Sequence, residues 1–404
     1  ALAGAVRFAA VAGTVYVANQ TGDVWRTAGT VASTQHLLGT PRLRIENMVA
    51  TQRGLFLLYG PELRLWFAAA AAGPRVVQLS GGSHGRELSR IPGRQDVLLS
   101  GFDPRQGFEP WISDGTVNGT KLLVDIDRGA SGSRPERFTV AGNEVVFVAA
   151  EGASGRELWR TDGTAAGTRL VTDLHRGPQS SNPTDLTYDA VSNSLYFSAN
   201  DGVHGYEPWL RAPTGTRLIA DLVKAPPSTL GSDPQFGITL AGTRLGAGAQ
   251  TLFAATDRAG GTEPWITDGT TAGTRRLADV VPGPNSSKPR DFARFGSGAV
   301  FAVDGAIWGT DGTTANTRRI HQLHAGPRRG GSAEFTELNH RVFFVGHDVL
   351  SGDELWVTDG TQGGTRRWLE LYPGAWSGQP AALTRVGERL YFAGTSPTEG
   401  RELW

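Results

Sequence analysis

Between residues 135 and 174 the chain alternates short apolar runs with turn-forming residues. Phe138-Thr139-Val140 and Val145-Val146-Phe147-Val148 are separated by Gly142-Asn143, and Glu157 to Thr161 and Thr168 to Leu174 by Asp162-Gly163. Runs this short do not make helices, and β-branched and aromatic residues dominate them. Gly, Asn and Asp stand where hairpins require positive φ. The segment therefore predicts four antiparallel strands joined by three turns. Asp304-Gly305, joining two such runs directly, is a type I′ hairpin signal.

The same pattern recurs along the chain. Glu157-Leu158-Trp159 with Asp162-Gly163-Thr164 returns as Glu109-Pro110-Trp111 with Asp114-Gly115-Thr116, as Glu263-Pro264-Trp265 with Asp268-Gly269-Thr270, and as Glu354-Leu355-Trp356 with Asp359-Gly360-Thr361. Trp25, Trp66, Trp111, Trp159, Trp209, Trp265, Trp308, Trp356 and Trp404 follow one another at intervals of 41 to 56 residues. That period suits propeller blades or HEAT-type helical repeats, and four strands per period select the propeller. The expectation is an all-β chain forming one β-propeller domain over 1–404, with nine units at 5–40, 44–80, 85–126, 135–174, 183–222, 233–280, 288–323, 332–371 and 379–404. The last unit has only three strands and lacks its outer one. An eight-bladed ring is the alternative.

These copies resemble the ELWxxDGT repeat family, met mainly in large surface or secreted proteins of bacteria such as myxobacteria. Copies three, four, six and eight carry nearly the whole signature. Thr27-Ala28-Gly29-Thr30 lacks the Asp, and Ala212-Pro213-Thr214 replaces the Asp-Gly-Thr. The resemblance implies a repeat architecture and export to the periplasm, cell surface or medium, and it supplies no catalytic residues. A second resemblance is to the tryptophan-docking motif of quinoprotein propellers: Ala199, Asp201, Gly205 and Trp209 match it, as do Ala255, Asp257, Gly261 and Trp265. It implies that Trp111, Trp159, Trp209, Trp265, Trp308 and Trp356 pack across to a neighbouring blade. The Asp-Gly-Thr segments resemble the Asp-box hairpin of sialidases. Asp114, Asp162, Asp268, Asp311 and Asp359 are then expected to hydrogen-bond their own turns, with calcium binding as the competing reading.

Composition narrows the chemistry. The 404 residues include 55 Gly, 22 Pro and no Cys, and 39 basic residues balance 39 acidic ones. No apolar run approaches the roughly 18 residues of a membrane span, so no transmembrane segment is expected. A neutral chain offers no basic surface for nucleic acid. Without cysteine there are no disulfides, thiolate nucleophiles or Cys-containing zinc sites. Ala1-Leu2-Ala3-Gly4 suits the remnant of a cleaved signal peptide.

Catalytic motifs are weak. Gly81-Gly82-Ser83-His84-Gly85 fits the nucleophile-elbow spacing but no helix follows it. Ser89-Arg90-Ile91-Pro92 resembles the sialidase arginine motif without companion arginines. The eight histidines show no paired metal spacing. Asp125-Ile126-Asp127 lacks the other ligands of a calcium loop and reads as a solvated strand end. No cofactor is therefore expected, calcium being the exception left open. What the repeats do not share points to His175, His204, Tyr206, Tyr372 and Trp376, in the loops after strand four or between strands two and three. The expected function is an exported, non-catalytic propeller that binds a glycan, matrix component or protein. The alternative is a propeller enzyme acting on carbohydrate.

Overall fold

The computed structural model describes the chain except residues 1–4, 20, 40–44, 60–63, 70–73, 76–84, 225–230, 241–248, 258–260 and 324–333. The fold is an all-β propeller. Eight four-stranded antiparallel sheets and a ninth of three strands follow one another, each with its strands in sequence order. They occupy 5–39, 45–75, 85–122, 136–172, 184–218, 235–276, 290–322, 336–369 and 381–403. Eight is thus the number of complete blades. The ninth sheet, Ala381–Val386, Arg389–Ser396 and Gly400–Leu403, lacks an outer strand. The chain divides into two compact units, Leu2–Thr184 and Asp185–Trp404.

Inside each unit the first strand of a blade lies against the first strand of the next. In the first unit Ala5–Val11 meets Ile45–Thr51, which meets Gly85–Arg90, which meets Glu136–Ala141. In the second, Gln235–Leu240, Arg290–Phe295, Thr336–Leu338 and Ala381–Val386 form a like succession. Blade two is sandwiched between its neighbours and has no free face at its second strand: Leu55 and Leu57 pack with blade one, and Phe56 and Leu58 with blade three. That burial explains why the second-strand runs read as continuously apolar rather than alternating.

A phenylalanine with no exposure marks the centre of the second strand in blades two and four to eight: Phe56, Phe147, Phe197, Phe253, Phe301 and Phe344. In five of these blades it stands opposite the third-strand tryptophan, as Phe147 does opposite Trp159 and Phe253 opposite Trp265. In blades three, four, six and eight the indole then reaches residues of the preceding blade or of the chain leaving it. Trp111 shares a cluster with Phe56, Leu58 and Phe67 of blade two, and Trp356 with Val300, Ile307 and Ile320 of blade seven. Trp159 packs with Ile126, and Trp265 with Leu222, each from the chain leaving the blade before. Trp111, Trp159, Trp209, Trp265 and Trp356 are 6 to 8% exposed. Trp308 is half-buried, stacked on Phe301 at 6.2 Å. The side chain of Trp66 lies outside the described residues.

The small residue ten positions before the indole has a steric reason. A Cβ on Gly346 would sit 2.5 Å from Trp356 Cδ1, so the ring lies directly over that backbone. Trp209 and Trp265 also donate Nε1–H to the carbonyls of Ala199 and Ala255 at 3.1 Å. The Nε1 atoms of Trp111, Trp159 and Trp356 are buried with no partner among the described residues.

Removing one indole from such a seam opens a cavity that neighbouring sheets cannot close. Trp265→Ala should lower unfolding free energy by about 3 to 5 kcal/mol, read by chemical denaturation. An unchanged midpoint would show that the seam does not carry stability.

Candidate functional site

In blades three to six and eight, the loop that leaves strand four and enters the next blade is held by one buried carboxylate. Glu109, Glu157, Glu207, Glu263 and Glu354, two residues before the tryptophan, are each 0% exposed. On an extended strand residues i and i+2 share a face, so the glutamate is carried into the same seam as the indole. There it meets donors. Glu109 accepts from the N–H of Ile126 at 3.1 Å, Asp127 at 3.0 Å and Ser133 at 2.8 Å, and from the Ser133 hydroxyl at 2.6 Å. Glu157 holds Leu174 and Ser181, Glu207 holds Leu222, Val223 and Ser232, and Glu263 holds Val280 and Ser287. Sequence reasoning quoted this glutamate as part of the repeat and assigned it no role. A charged residue recurring in register with a buried tryptophan was the available signal.

The same loops are tied onward as well. Ser133 O accepts from Ala150 of the following blade at 2.8 Å, and Ser232 O from Thr256 at 2.8 Å. The residue after the serine donates its N–H back to strand three: Arg134 to Phe108 O, Asn182 to Arg156 O, Lys288 to Thr262 O. The hairpin between strands two and three packs on this loop so closely that Gly155, at φ 68°, would place a Cβ against the Gln179 carbonyl. Hairpin and loop thus form one surface at this end of the blade.

At the opposite end, the Asp-Gly-Thr turns are closed networks. Asp162 Oδ1 accepts from Thr164 N at 2.8 Å and Thr164 Oγ1 at 2.6 Å, and Thr168 Oγ1 donates to Thr164 O at 2.7 Å. Asp114, Asp268, Asp311 and Asp359 repeat the arrangement. The Thr164 hydroxyl bonded to Asp162 holds its carboxyl below the usual range, and the Thr361 hydroxyl does the same for Asp359. Asp162, Asp268 and Asp359 are exposed, so the N–H groups they satisfy also have access to water. Among the described residues no group of three or more His, Asp or Glu is arranged to hold a metal ion. Asp125 departs from the expected solvated strand end. Its Oδ2 lies 3.3 Å from Gln106 Nε2, while Oδ1 is buried without a partner among the described residues.

The five loop candidates do not form one constellation. His175, half-buried in the loop after blade four, has Nδ1 3.4 Å from Ser180 O. His204 and Tyr206 belong to the second hairpin of blade five. His204 Nδ1 pairs with Asp201 Oδ2 at 2.7 Å, and Tyr206 O accepts from Asp233 N. Tyr372 and Trp376 stand together in the loop after blade eight, ring centres 6.2 Å apart, with Trp376 72% exposed. Glu354 grips both ends of that loop through the N–H of Leu371 at 2.7 Å, Tyr372 at 3.2 Å and Gly378 at 3.0 Å. Of the elbow motif, Gly81 to His84 lie outside the described residues.

A cavity of about 610 Å³ in the first unit was not foreseen. Arg86, Arg134 and Arg156 line it together with Glu87, Glu136 and Ser100. Arg134 stands where other repeats have Asn182, Asp233, Lys288 and Gln379, all at positive φ. Variation at one fixed repeat position was the signal that could have found it.

No family model matches the chain and no curated protein is similar to it. Solved structures resemble it at low identity. The computationally designed Ika8 protein is 16% identical over 89% of this chain and 95% of its own, with a TM-score of 0.48. BamB from Moraxella catarrhalis is 13% identical over 99% of this chain and 96% of its own, at 0.44. Puromycin hydrolase is 16% identical over 98% of this chain but only 60% of its own, at 0.43. Likenesses at this level say nothing about activity.

Two outcomes test this geometry. Burial pushes the Glu207 carboxyl up to about 6 from an ordinary 4.5, against the pull of its Ser232, Leu222 and Val223 donors. With the native value raised, the fold binds more protons than the unfolded chain between these two values. The group's contribution is therefore fully present below about 4.5 and is lost as pH rises through about 6. Glu207→Gln should flatten the stability–pH curve in that window; an unaltered slope would contradict the burial argument. At the other end, Asp162→Ala should cost about 1 kcal/mol, since its donors are near water. Chelator should leave the melting temperature of the parent protein unchanged, and a drop would reveal metal at the turns.

Proposed function

We propose that the protein is a binding module without chemistry of its own, and that it engages a glycan through Tyr372 and Trp376. The observation that carries this is a widely exposed indole beside a tyrosine, on a loop clamped at both ends by one buried carboxylate. An aromatic face held still offers a sugar ring a stacking surface at little entropic cost on binding. The neighbouring His347–Asp353 pair, at 2.8 Å, places polar groups beside it, because Asp353 N also bonds Ser377 Oγ of the same loop. Matrix or protein partners would use the same anchor, since tryptophan and tyrosine dominate protein hot spots as well. Membership of the ELWxxDGT repeat family and export from a bacterial cell belong to this reading. No helix among the described residues is long and apolar enough to cross a membrane.

A glycan array followed by titration of the hits tests the reading. Trp376→Ala should weaken the best hit by about tenfold or more, near 1.4 kcal/mol, with an unchanged melting temperature. Full affinity in that variant would remove the platform from the site. Hydrolysis of the bound glycan would favour the carbohydrate-enzyme alternative.

A further inference from the structure

The cavity between blades three and four of the first unit stands apart from the aromatic platform and does not rest on it. Its charges are unevenly committed. Arg156 Nη2 pairs with Glu136 Oε1 at 2.7 Å, and its guanidinium also donates to Arg134 O at 3.2 and 3.3 Å. Glu87 Oε2 accepts from Phe138 N at 3.3 Å. The Arg134 backbone is pinned to Phe108 O, yet its exposed guanidinium has no partner among the described residues. Arg86 lies over the Phe108 ring at 4.4 Å with no carboxylate paired to it among the described residues. Ser100 is 1% exposed, and its hydroxyl has no hydrogen-bond partner among the described residues.

Three arginines face two glutamates, so the lining carries a net charge of one positive unit. A monoanion neutralises it, whereas a dianion would overshoot and meet Glu87. Guanidinium forks match the two oxygens of a carboxylate. The remaining lining is polar, with an unpaired hydroxyl and a carboxylate suited to ligand hydroxyls, and Phe108 already carries a guanidinium on one face. We propose that this cavity binds a sugar acid, its carboxylate received by Arg86 and Arg134 and its hydroxyls by Ser100 and Glu87. The volume lies inside the range of about 300 to 1,000 Å³ usual for small-molecule sites.

Calorimetric titration of the full chain with glucuronate, glucose, acetate and inorganic phosphate tests this. Glucuronate should bind in the millimolar range or tighter, and glucose and acetate should bind at least about tenfold more weakly. Arg134→Ala and Arg86→Gln should each weaken glucuronate by about tenfold while Trp376→Ala leaves it unchanged. Arg134→Ala should melt as the parent does, because its side chain makes no hydrogen bond within the described fold, and Arg86→Gln should melt only slightly lower, having lost its place over the Phe108 ring. Equal binding of glucose would overturn the carboxylate assignment, and equal binding of acetate the hydroxyl contacts. Tighter phosphate would overturn the charge argument. Absence of glucuronate binding at millimolar concentration, or its retention in both arginine variants, would dismiss the site.

Discussion

A carboxylate buried in each of five blades, three to six and eight, governs how those blades are joined to the next. A charge removed from water is costly unless donors surround it. Glu109 has four, three from backbone N–H groups of a loop that carries the chain to the next blade. Three amides of the loop are satisfied in this way, and the carboxylate is solvated by protein instead of water. Because Ser133 also accepts from the following blade, the same few atoms set the spacing between two sheets. Burial opposes this by favouring the neutral acid, which is why the carboxyls of Glu109, Glu157 and Glu263 are all raised.

The tryptophan and the glutamate divide one job. The indole fills the apolar part of the seam, over a residue too small to obstruct it, and the carboxylate organises the polar part where chain must cross. At the far end of strand three the Asp-Gly-Thr turns close on their own aspartate and threonine, and neighbouring blades add single bonds to them, as Arg217 does to Gly269 O and Arg275 to Gly312 O. The two ends of each blade are therefore unequal. One is a hairpin that recurs with the same internal bonds, and the other is a framework with fixed endpoints between which side chains vary.

That inequality gathers the unshared side chains at one end of each blade. Loops rich in Gly and Pro would ordinarily move, but Leu371 and Gly378 are bound to one carboxylate, and the aromatic pair rides between them. The position occupied by Arg134 is similar: its backbone is held by Phe108 while its side chain is exposed. In both places the recurring bonds hold the backbone, and the side chain is one that the repeats do not share.

Much of this was legible in the chain. Strand number, turn positions and blade limits followed from short β-rich runs punctuated by Gly, Asn and Asp, because local hairpins are specified by local residues. The tryptophan period and the aspartate turns were equally local. What escaped were contacts between residues 15 to 25 positions apart in sequence yet joined in space, such as Glu207 with Leu222 and Ser232. Nothing in the glutamate's immediate neighbours announces that its partners lie in the following loop. The cavity escaped for the same reason: Arg86, Phe108, Arg134 and Arg156 come from four segments that only blade packing brings together. Sequence by itself determined the strands, the turns and the repeat, since those are settled by backbone preference and side-chain period. The buried charge latch and the convergence of unshared side chains were decided by tertiary structure, because burial and long-range proximity exist only once the sheets are stacked.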